Sequence, residues 1–209
     1  MDILLLSLGV SAVPAFLEES LPDTGAPVRI AYIDDAAAPF AGEAFVADER
    51  DQLNRLGYEL RDVTTSRMSP ADFQAVLEEV DALYLAGGHT FALLHALRTS
   101  GADQVLLEAV RGGMPYMGAS AGAVVAGPSI EPICLMDDPR QVPELQDFTG
   151  LGLVDDVVVP HADGNLAPYP AAVIGKVVET YDADFPLVLL PDDHALIYRD
   201  GARHMVDSP

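Results

Sequence analysis

Five short apolar runs, at residues 3–8, 28–33, 58–63, 82–85 and 115–117, alternate with segments of helical spacing at about 12–20, 40–56, 70–79, 90–98 and 103–111. This order constrains the chain more than any other feature. A strand that is followed by a helix and then by another strand reads as a βα unit, and repeated units build a parallel sheet covered on both faces. One helix carries its own punctuation in "SPADFQAVLEEV", with Ser69 suited to the N-cap, Pro70 to the first helical position and Asp72 to the first turn. Beyond residue 128 the pattern loosens. Residues 129–150 follow Pro128 and hold Pro132, Pro139 and Pro143, and they read as an extended excursion near the site. A strand is expected at 153–159, a helix at 171–181 and two closing strands at 187–190 and 195–198. The expected fold is α/β, a three-layer sandwich with a mostly parallel central sheet. The 209 residues are expected to form a single domain over 1–209.

Charge and apolar content remove whole classes of function. There are 33 acidic side chains against 11 basic ones, of which Lys176 is the only lysine, and the net charge is −22. Such a surface repels nucleic acid and anionic membranes, so neither is an expected partner. No apolar stretch reaches the roughly 20 residues of a membrane span, and the start "MDILLLSLGV" lacks a basic leader region. A cytoplasmic location is expected. Cys134 is the only cysteine, so no internal disulfide is available, and it reads as apolar filler between Ile133 and Leu135.

"YMGASAGAVVAG", at 116–127, surrounds Ser120 with Gly118, Ala119, Ala121 and Gly122. A serine raised on a sharp strand-to-helix turn needs such neighbours, because the backbone there is crowded. The pattern reads as a nucleophile elbow, with the Ala121 N–H aimed where an oxyanion would form. The plain alternative is a helix start with Ser120 as its cap. "ALYLAGGHTFALLHALR" sets Gly87 and Gly88 at the carboxyl end of a strand, and Gly88 is the candidate second oxyanion donor. A serine needs a base. Of five histidines, His161 ends the run "LVDDVVVP" and is the candidate base, whereas His95 reads as structural and His204 as solvated. His89 is read either as pocket lining or as surface filler. "LVLLPDDHALIYRDG" offers Asp192, with Asp193 as the alternative, to orient the imidazole.

Taken in order, "YLAGGHTFALLHAL", "GASAGAVVAG", "VVVPH" and "PDDHALIYRDG" resemble the peptidase E family, the aspartyl dipeptidases grouped with cyanophycinases within the class I glutamine amidotransferase-like fold. The resemblance covers nearly the whole chain. It implies a serine exopeptidase that hydrolyses short peptides through an acyl-enzyme, with Ser120 as nucleophile, His161 as base, Asp192 as third member and Gly88 and Ala121 as oxyanion donors. No cofactor or metal is implied. Aspartate-selective members hold the substrate carboxylate with an arginine a short helix after the histidine; here that segment has only Lys176, and His89 stands where the family usually has Asn. Aspartyl selectivity is therefore not expected. Carboxypeptidase-type and cyanophycinase-like activity, or metabolite binding without turnover, are the other readings. A glutaminase would want a cysteine at the elbow. Assembly into a homodimer or a higher homo-oligomer is left open.

Overall fold

A computed structural model describes residues 1–209, apart from the side chain of Phe45. Its strands are β1 (Ile3–Leu6), β2 (Arg29–Ile33), β3 (Glu59–Val63), β4 (Ala82–Leu85), β5 (Tyr116–Ala119), β6 (Val157–Val159), β7 (Leu187–Leu189), β8 (His194–Arg199) and β9 (Ala202–Asp207). The helices are α1 (Val13–Ser20), α2 (Ala44–Arg55), α3 (Pro70–Leu77), α4 (Thr90–Ser100), α5 (Ala102–Arg111), α6 (Ala121–Val125) and α7 (Ala171–Tyr181). Seven strands form one sheet in the order β3-β2-β4-β5-β1-β8-β9. The first five run parallel, while β8 pairs antiparallel to β1 and β9 antiparallel to β8.

Alternate residues of the central strands feed opposite layers, as the two-residue period of a strand requires. Ile3, Leu5, Ile33, Leu83, Leu85 and Tyr116 pack on one face with Phe73, Phe91, Leu97, Leu106 and Val124 from α3 to α6. Leu4, Leu6, Tyr32, Tyr84 and Met117 pack on the other with Phe16 and Leu17 of α1 and Leu53 of α2. Both faces being buried explains the near-continuous apolar runs. The expected α/β sandwich is therefore present.

Two expectations change in detail. The strand expected over 153–159 is only β6, and it pairs with β7 in a separate two-stranded parallel sheet instead of extending the main one. The closing hairpin includes β9, whose residues are mostly exposed and so left no apolar signal. Residues 129–150 do form an excursion, with short 3-10 turns at Glu131–Leu135 and Pro139–Gln141 and a bridge between Ser129 and Thr149. It is anchored by buried Ile130, Ile133, Val142 and Leu145 in the same core as α4. No helix among the described residues is long and apolar enough to cross a membrane.

Candidate active site

The carboxyl ends of β4, β5 and β1 lie side by side, and each delivers a loop to the same place. Ser120 follows β5 with φ 46° and ψ −106°, a conformation that L-residues seldom adopt. Three things hold it there. The Ser120 N–H donates to the Leu6 carbonyl of β1 at 2.9 Å. The buried Tyr116 hydroxyl donates to the Gly122 carbonyl at 2.6 Å. And Gly122 lies so close to β4 that a β-carbon would stand 2.1 Å from the Leu85 carbonyl oxygen, so only glycine fits. Although Ser120 precedes α6, its hydroxyl caps no helix N–H. It faces His161 instead.

The Ser120 Oγ lies 3.0 Å from His161 Nε2, and His161 Nδ1 lies 2.6 Å from Asp192 Oδ1. His161 follows β6 in the left-handed region at φ 58° and is 3% exposed. With Nδ1 protonated it donates to the Asp192 carboxylate, leaving Nε2 to accept the serine proton. Burial alone would raise the Asp192 carboxyl, but the bonds from His161 and Ser7 outweigh it and hold the group below the usual carboxylate value. Asp193 is not in this chain of contacts: its carboxylate meets His194 Nδ1 at 2.6 Å on the exposed side.

Ser7, just past β1 and 1% exposed, is a part of the site that no sequence pattern marked. Its hydroxyl donates to Asp192 Oδ1 at 2.9 Å and accepts from the His161 N–H at 2.7 Å. One oxygen therefore ties the base and its carboxylate to β1. Tyr169 adds a second brace, its ring stacked on the His161 ring with centroids 5.2 Å apart. The Tyr169 hydroxyl donates to Asp137 Oδ1 at 3.0 Å, and the Thr90 N–H donates to Asp137 Oδ2 at 2.8 Å. Burial, with the Asp137 charge as a lesser cause, pushes the Tyr169 hydroxyl well above its ordinary pKa. Ser120, His161, Asp137 and Tyr169 line a recess with about 10 Å³ for the centre of a water-sized group, closed by Ile133 and Met136 of the excursion.

Gly88 and Ala121 are the two expected oxyanion donors. Among the described residues, the N–H groups of Gly88 and Ala121 make no hydrogen bond. Gly88 has φ 137° and packs so tightly on the Ala36 carbonyl that a β-carbon would stand 2.3 Å from its oxygen. His89 is not surface filler. It is 2% exposed and caps α4, its Nδ1 accepting from the Ala92 N–H at 3.3 Å, so neighbours on the helix fix it rather than the recess. His204 is exposed and His95 half-buried on α4. Lys176 is exposed and pairs with Glu179. The half-buried Cys134 thiol is pushed up to about 11 by burial, which leaves it a poor nucleophile. No group of His, Cys, Asp and Glu suited to a metal ion occurs among the described residues.

The sequence model of peptidase family S51 matches residues 9–206. An uncharacterised peptidase of Pasteurella multocida (strain Pm70) is 32% identical over 174 residues, which is 83% of either chain. Peptidase E of Streptomyces coelicolor is 36% identical over 165 residues, covering 77% of this chain and 64% of that protein. A Listeria monocytogenes EGD-e protein crystallised as a candidate peptidase E superposes with a TM-score of 0.85 over 99% of this chain and 98% of its own, at 26% identity.

Proposed function

Because the chain belongs to peptidase family S51, we propose that it is a serine exopeptidase that cleaves short peptides through an acyl-enzyme on Ser120. The observation that carries this reading is the unbroken line from the Ser120 hydroxyl through the His161 ring to the Asp192 carboxylate, at 3.0 Å and 2.6 Å. His161 Nε2 takes the proton as Oγ attacks the peptide carbonyl, and Asp192 steadies the imidazolium that forms. The Gly88 and Ala121 N–H groups receive the oxyanion, an effect worth about 2.7–4 kcal/mol per donor in comparable sites. Collapse of the tetrahedral adduct expels the amine, which His161 protonates. Water then attacks the ester with His161 again as base, and Ser120 is regenerated.

The helix after His161 offers no arginine to hold a substrate carboxylate, and Lys176 is turned to solvent, which speaks against aspartyl selectivity. A panel of dipeptides and tripeptides with free or blocked termini, followed by chromatography of the products, tests the proposal. The wild type is expected to release an amino acid or dipeptide, and Ser120→Ala and His161→Ala to lose at least about a thousandfold in kcat. Equal turnover by Ser120→Ala would overturn it.

A further inference from the structure

Glu49, on the inner side of α2, reaches the active-site edge and meets no positively charged group among the described residues. Its two carboxyl oxygens lie 3.1 and 3.2 Å from the Gly87 nitrogen, whose N–H donates to them. A β-carbon built on Gly87 would stand 2.9 Å from Glu49 Oε2 and 3.5 Å from Ser120 Cβ, so carboxyl and nucleophile share one wall. No arginine, lysine or histidine among the described residues pairs with Glu49, and the adjacent Arg50 is committed to Asp62 at 2.8 and 2.9 Å. The buried Tyr84 hydroxyl lies against the same carboxyl, and burial first and then the Glu49 charge raise its pKa. Capping one amide needs only a neutral acceptor. A half-buried carboxyl is a costly way to do it, and burial pushes this one up to about 7. A cation beside it would relieve that cost.

Strand order indicates which part of a substrate would bring the cation. Ser120 stands at the end of β5, with β4 on one side and β1 on the other. His161 and Asp192 come to it over β1, through Ser7, whereas Glu49 comes over β4, through Gly87. The base must protonate the departing amine, so the leaving group lies on the β1 side and the acyl residue on the β4 side. Asp137, the carboxylate that lines the recess, also lacks an ion-pair partner among the described residues, and the net charge of −22 draws cations toward the whole surface.

Resting on the reading of Ser120 as nucleophile, we propose that Glu49 is a specificity-determining residue that holds an ammonium group of the substrate's acyl residue and sets the site against an acidic residue there. The ammonium is either the free α-amine or a lysine side chain. Diphenyl phosphonate analogues distinguish the two: alanine analogues with free and acetylated amines, and acetylated lysine and aspartate analogues. The readout is the rate of Ser120 modification, followed by mass spectrometry in the wild type, Glu49→Gln and Glu49→Asp. The wild type is expected to favour the free-amine alanine probe, or the lysine over the aspartate probe, by about tenfold or more. Glu49→Gln should bring that ratio toward one, and Glu49→Asp, which keeps the charge, should retain most of the preference. The proposal is overturned if Glu49→Gln leaves both ratios at their wild-type values. Absence of any Ser120 modification in the wild type would instead sink the peptidase reading itself.

Discussion

Ser7→Ala is the most informative single change, since it deletes one oxygen that touches neither the nucleophile nor the substrate recess. That oxygen donates to Asp192 at 2.9 Å and accepts from the His161 N–H at 2.7 Å in a place that is 1% exposed. Water cannot easily replace it there. A bond to a charged carboxylate contributes about 1.5–3 kcal/mol, and a buried N–H left without a partner costs about 1–3 kcal/mol. The two losses share one atom and do not simply add, so destabilisation of about 2–4 kcal/mol is expected. For a chain of this size that lowers Tm by roughly 4–16 °C. If the whole of the Asp192 share is felt in the transition state, kcat falls about 10- to 150-fold, with KM little changed. The pH profile carries a further signature. Ser7 is one of the groups that hold the Asp192 carboxyl below its usual value, so its removal moves that value up, and the acid-side loss of stability moves to higher pH. A depressed carboxylate stabilises the fold above the usual carboxylate range, and the benefit is lost as pH falls through the folded value. Calorimetry across pH and kinetics on short peptides provide the assay. A variant within twofold of wild-type kcat and within about 1 °C in Tm would refute the claim that one oxygen braces both groups.

Other changes test neighbouring parts of the account. Asp192→Asn should cut kcat by about 10⁴, as loss of the orienting carboxylate does in comparable triads. Asp193→Asn, on the exposed pair with His194, should leave peptide turnover within about twofold, and the contrast is read in one kinetic series. Gly88→Ala forces a β-carbon against the Ala36 carbonyl at φ 137°, and a loss of kcat with little change in KM is expected from a displaced oxyanion donor. Glu49→Gln should stabilise the protein at high pH. The raised carboxyl makes the native state hold its proton longer than the unfolded chain, so stability falls as pH rises from the ordinary 4.5 toward 7. Removing the charge should recover at most about 3 kcal/mol, nearer 1–2 kcal/mol for a half-buried group, at pH 8 and almost nothing at pH 4. Thermal melts at the two pH values measure this.

What could be read from sequence follows from which constraints are local. Ser120 announced itself because the crowded turn admits only small neighbours, and the requirement is written in adjacent letters. The central strands were legible because burial on both faces makes them uniformly apolar. His161 and Asp192 were placed by their positions after apolar runs, and the structure brings both to Ser120. Ser7 and Glu49 were not legible. A serine after a first strand and a glutamate in a polar helix look like thousands of others, and what distinguishes them is the order β4-β5-β1, a product of the whole topology. Asp137 and Tyr169 meet only because the excursion folds back on the loop after β6. β9 was missed for the opposite reason: an edge strand facing solvent has no buried alternation to display.

The central claim is a covalent one, and it is tested most directly by trapping the intermediate. Wild-type protein mixed with an activated amino-acid ester, quenched in acid within milliseconds to seconds and digested, should yield a peptide bearing one acyl group on Ser120. The adduct should be absent from Ser120→Ala and greatly slowed in His161→Ala. Ester turnover with no acylated peptide, or an acyl group on any other residue, would contradict the mechanism.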